Sequence, residues 1–217
     1  MKALFYSSAL AEFTMHYWRK GYFKSLKDLA SAARTVPEWA DYAAFCEEYE
    51  RGLRNDAFTI LERFISSIER ASFEKRPKFV SWISRESDGR EGRHMLIPHP
   101  LYVRLIEPTL LEWTLIEPDC YEPHLWLGGY DHLVRAIELT PRNEIVAKKL
   151  IVAILSRVGH ATHELPTGYL GNPSEDLTAL SQADILLQNL SDDNDRSPLR
   201  ADIALERKLI QDYIRSN

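Results

Sequence analysis

The sequence predicts an all-α protein, an array of antiparallel helices joined by short loops. Three observations carry that prediction. Apolar residues recur at three- and four-residue spacing through most of the chain. Glycine is scarce, at nine residues in 217, and a hairpin-type turn dipeptide occurs only at Asp88-Gly89. Prolines at 98, 100, 108, 118 and 123 punctuate the middle of the chain, each suited to the first turn of a short helix. About eight to ten helices are expected on this pattern.

The elements follow in order. Leu10, Phe13 and Tyr17 place a first helix over 8–20, with Gly21 as its stop. Ser25, with Asp28 three residues on, reads as a capping box for LKDLASAARTV. Pro37 closes that segment and opens a helix over 37–54. Asn55 is the expected cap of the next, where Phe58, Leu61, Phe64, Ile65 and Ile68 form a stripe. A short helix near 77–85 precedes a charged, glycine-bearing loop over 86–98. That loop divides a helical subdomain at 1–85 from a repeat-like one at 99–217, unless the whole chain is one continuous domain.

Several short helices are expected from 101 to 140. Asn143 then caps a helix with a wide apolar arc, the central core helix of this half, which Gly159 ends. The segment 159–172, with three glycines and one proline, is expected to fold back over that helix and bury Tyr169 or Leu170. Asn172, Pro173 and Glu175 combine a cap, a first-turn proline and a third-position acid. SDDND at 191–195 reads as a turn, and Ser197-Pro198 as the start of the last helix.

Composition limits the function classes. The net charge is −5 and uneven, with +2 over residues 1–100 and −7 over 101–217. An acidic chain without a long basic tract is a poor match for nucleic acid or an anionic membrane, so neither is expected as a partner. The aromatics and cations of 70–93 are diluted by four acids and read as a helix with aromatics inward and charge outward. Cys46 and Cys120 form no CxxC pair and no disulfide framework. The apolar N-terminus is broken by Glu12, His16, Arg19 and Lys20, unlike a signal peptide. The expected location is cytoplasmic.

Within 126–143, WLGGYDHLVRAIELTPRN, the residues Gly129, Leu133, Ala136 and Pro141 stand at the spacings of the second helix of a tetratricopeptide repeat. Trp113 and Ile116 stand where the first helix of that repeat carries its aromatic and leucine. Residues 113–143 thus resemble about one tetratricopeptide-like unit, with Pro118 and Pro123 departing from the pattern. The resemblance implies a scaffold that binds another protein, and not a reaction.

Signatures of chemistry are sparse. There is no GxSxG, no phosphate-binding glycine loop and no calcium loop; Gly128-Gly129 reads as a close approach of two helices. No cofactor is expected. Histidines gather near carboxylates in GHATHEL, in PDCYEPH and around MLIP, which holds His94 and His99. The expected function is a non-enzymatic interaction module of adaptor or toxin-neutralising type, binding through a groove near Trp113, Trp126 and Tyr130. The alternative is a small metal-dependent hydrolase or metal sensor on His160, His163 and Glu164.

Overall fold

The computed structural model describes residues 20–216. The expected helix over 8–20 lies outside them, apart from Lys20. Among the described residues the chain is all α, with short 3-10 turns and no strand. It divides into two compact units, and the division falls between Thr109 and Leu110.

The first unit contains α1 (Lys20–Ala33), α2 (Ala40–Glu50), α3 (Arg54–Glu69), α4 (Arg76–Ser87), α5 (Arg93–Leu96) and α6 (His99–Leu101). A π-helical segment, Tyr102–Ile106, leads from α6 into α7 (Glu107–Ile116) without a break. Pro108 explains that segment. It has no N–H to give, and its ring would crowd the carbonyl four residues back. Widening the preceding turn, so that Glu107 N–H bonds the Tyr102 carbonyl, makes the room. Residues 99–116 therefore run as one helix, and the short helices expected over 101–140 continue after it at 121–127 and 130–139.

An aromatic cluster forms the core of this unit. Tyr42, Phe45, Phe64 and Phe79 are fully buried. Phe64 meets Phe79 edge-on at 4.7 Å, and Tyr42 meets Phe79 at 5.2 Å. Edge-to-face pairs of this kind each contribute about 0.5–1.5 kcal/mol beyond their area. The Tyr42 hydroxyl donates 2.8 Å to the Leu96 carbonyl. That bond, with buried Met95 and Leu96, anchors the far end of the segment read as a loop over 86–98. Arg104 bridges Glu62 and Glu69, tying the π segment to α3.

The second unit holds α8 (Tyr121–Leu127), α9 (Tyr130–Leu139), α10 (Glu144–Thr162), α11 (Pro173–Leu186) and α12 (Asp193–Ser216). Helix α8 packs on α9, α9 on α10, and α10 on both α11 and α12. Helix α10 is central, as its wide apolar arc predicts. Val146, Leu150, Ile151, Ile154 and Val158 are all fully buried. The Asn143 side chain caps it, accepting from Val146 N–H at 3.1 Å. Asn172 caps α11, accepting from Ser174 and Glu175 and donating to the Glu175 carboxylate at 2.8 Å.

Several boundaries differ from the sequence reading, each for a local reason. Gly21 lies inside α1 and does not stop it; a Cβ there would collide with the Glu91 carboxylate. Ser25 is buried mid-helix and caps nothing. Helix α3 starts one residue before Asn55, after a turn in which Gly52 takes φ 81°. Gly159 lies within α10, which continues because Ala161 and Thr162 are buried and the Thr162 hydroxyl donates 2.7 Å to Glu206. Helix α12 begins in the acidic run itself. Asp192 accepts from Asn194 N–H at 2.8 Å, and Pro198 sits inside the helix. That costs the last helix one backbone bond, not its start.

Candidate functional site

Helix α7, EPTLLEWTLI, spreads its apolar residues around its circumference and not along one stripe. A helix of that kind either is buried all round or presents an unpartnered face. Its inner side holds Leu110 and Trp113, 0% and 7% exposed. Its outer side holds Leu111 and Leu115, one turn apart, with Ile116 beside them. These are 47%, 82% and 52% exposed. Glu112 lies between them in sequence, and Glu117 and Asp119 follow, the Asp119 side chain 91% exposed.

The three aromatics expected to line a groove are placed differently from one another. Trp113 faces inward, and its indole N–H donates 2.9 Å to Glu117. Trp126 is buried on α8; its N–H donates 3.3 Å to Glu122, and the Lys149 ammonium lies 5.4 Å from its ring centre. Tyr130 is half-buried at the start of α9, with the Arg157 guanidinium 4.7 Å over its ring. Each aromatic is engaged by its own neighbour. The exposed apolar side chains of this region are leucines and an isoleucine on the same helix as Trp113. The spread of apolar residues around α7 is the sequence signal for them.

Gly128 and Gly129 join α8 to α9. Both take positive φ, 68° and 71°, and a Cβ at either would meet open space. They are there for turn geometry and not for close helix approach. The turn brings His124 and His132 together, with their Nδ1 atoms 3.1 Å apart and ring centres 5.3 Å apart. The facing nitrogens share one hydrogen bond. Burial first, then His132 and Arg135, hold His124 below the ordinary imidazole range. The PDCYEPH histidine is thus joined to His132, while Asp119 lies 3.5 Å from Arg135.

His160 and His163 stack at 5.0 Å on the exposed end of α10. His163 lies 3.0 Å from Glu164 through Nε2, and its Nδ1 is bonded to the His160 carbonyl. Both ring nitrogens of His163 are therefore engaged. Among the described residues no group of three or more His, Cys, Asp or Glu is placed to hold a metal ion. His94 and His99 both line a cleft in the first unit.

Among the described residues no helix is long and apolar enough to cross a membrane. No family model, no curated protein and no solved structure matches this chain.

Proposed function

We propose that this protein is a non-enzymatic helical module that binds another protein through the outer face of α7. The observation that carries the reading is Leu115, 82% exposed on a helix whose inner side is already packed. Fully burying a leucine stabilises a complex by about 1.5–3 kcal/mol, and Leu111, Leu115 and Ile116 together make the anchor set. The partner is a basic amphipathic helix. Residues 110–217 carry 10 basic and 17 acidic side chains, a balance of −7. Opposite charge around an apolar centre speeds encounter and sets orientation. Successive packing of α8, α9 and α10 supports a scaffold role of the kind a tetratricopeptide-like array plays.

The test is a pull-down from native lysate with the wild-type chain and Leu111→Asp/Leu115→Asp side by side. A stoichiometric partner with a basic amphipathic segment, captured by the first and lost by the second, is the expected result. No such partner under several conditions, or equal capture by both chains, would overturn the reading.

A further inference from the structure

The first unit holds a cleft of about 510 Å³, within the range of small-ligand sites. Five helices build it, with His99 and Pro100 from α6. Tyr22 comes from α1, Tyr49 from α2, Arg54 and Phe58 from α3, and His94 from α5. Tyr49 meets Phe58 edge-on at 5.6 Å, and Tyr22 meets His94 edge-on at 5.7 Å. The Arg54 guanidinium lies 5.4 Å over the Phe58 ring. Among the described residues no carboxylate pairs with Arg54.

The chemistry of the lining is one-sided. Among the described residues no aspartate or glutamate lines it, although the chain has 32 acids against 27 bases. What the cleft offers is aromatic surface, two phenols, two imidazoles and one guanidinium. Aromatic walls favour a flat ring. A guanidinium already stacked on a ring keeps its planar fork for a carboxylate or a phosphate. Gly92 stands behind Tyr22. Its φ is 74°, and a Cβ there would come within 2.9 Å of the Tyr22 ring. The absence of a side chain at 92 lets Tyr22 stand where it does.

We propose that this cleft binds a small planar aromatic or heteroaromatic molecule bearing one anionic group. The ring lies against the aromatic walls and the anion on Arg54. The site is separate from the docking face on α7 and does not depend on it.

Isothermal titration of the full chain tests the proposal with two anions and their neutral counterparts. These are adenosine monophosphate against adenosine, and indole-3-acetate against indole-3-acetamide. Saturable one-to-one binding of at least one anion is expected, with its neutral counterpart about tenfold weaker or more. Which anion binds tells phosphate from carboxylate. Arg54→Gln is expected to lose that same factor for the anion and nothing for the neutral compound. Arg63→Gln removes the same charge from an arginine paired with Asp41, outside the cleft, and is expected to bind like wild type. Tyr22→Leu, checked for an unchanged melting curve, is expected to weaken both compounds. The proposal is overturned if neither anion binds saturably up to millimolar concentration. It is equally overturned if neutral compounds bind as tightly, or if Arg54→Gln binds the anion as wild type does.

Discussion

Tyr169 donates a 2.6 Å hydrogen bond to Asp176, a carboxylate only 6% exposed. The same ring stacks on Tyr213 of α12 at 5.5 Å, and Arg157 reaches Asp176 from α10 at 3.3 Å. One tyrosine therefore pins the connection after α10 to both α11 and α12. Leu170, the other candidate for burial, is 53% exposed and held by its backbone N–H to the Ala161 carbonyl.

Tyr169→Phe is expected to leave Asp176 short of a partner and to cost about 1–3 kcal/mol in urea unfolding. A broad-specificity protease is expected to cut wild type near Arg90 or Arg93 before 163–172, and to lose that order in the variant. Burial first, then the bond to Asp176, holds the Tyr169 phenol well above its ordinary range. A raised acid favours the folded state while it stays protonated. The stability it gives is thus complete below about pH 10 and is lost as pH rises above that. Tyr169→Phe is expected to shallow the alkaline loss of melting temperature, and an unchanged slope counts against this assignment.

The two thiols are expected to separate by accessibility. Burial pushes the Cys46 thiol up to about 12 and leaves it fully enclosed; Cys120 is raised too, but half-buried. Only the thiolate reacts. A disulfide reagent at neutral pH is expected to modify Cys120 slowly and Cys46 only after unfolding. Two thiols titrating together in the native protein would contradict the packing of α2.

His124 supplies an acid-side prediction. Its folded pKa lies below the unfolded value of about 6.5. A depressed base means that the unfolded chain binds the extra proton. Stability is then complete above about pH 6.5 and falls as pH drops below it. His124→Asn is expected to lose less melting temperature than wild type between about pH 7 and about pH 5.5, a window above the carboxylates. Parallel curves for the two chains would show that the pair carries no linkage.

The caps give the plainest test. Asn143→Ala and Asn172→Ala each remove side-chain bonds to free helix N–H groups, and each is expected to cost about 1 kcal/mol. Ser25→Ala removes no cap and is expected to fall well below that, since its residue lies within α1. Denaturant midpoints of the three variants check the ranking.

Those caps mark what the sequence determined by itself. Asn143 and Asn172 act through atoms two or three residues away, so their signal is local and complete in the sequence. The stripe of α3 and the wide arc of α10 are local in the same sense, because helical periodicity is enough to say which residues share a face. The all-α class follows from them. Where tertiary burial outweighs local preference, the reading changes. Gly159 reads as a stop, but burying Ala161 and Thr162 carries α10 past it; Gly21 reads as a stop, but sits inside a helix against Glu91. Which side chains the candidate surfaces expose is decided by tertiary structure. Helix α7 has no single apolar stripe, so only its neighbours decide that Trp113 goes in and Leu115 stays out. The cleft gathers Tyr22, Tyr49, Arg54 and His94 from four helices, and no spacing along the chain encodes a contact that closes only when those helices pack.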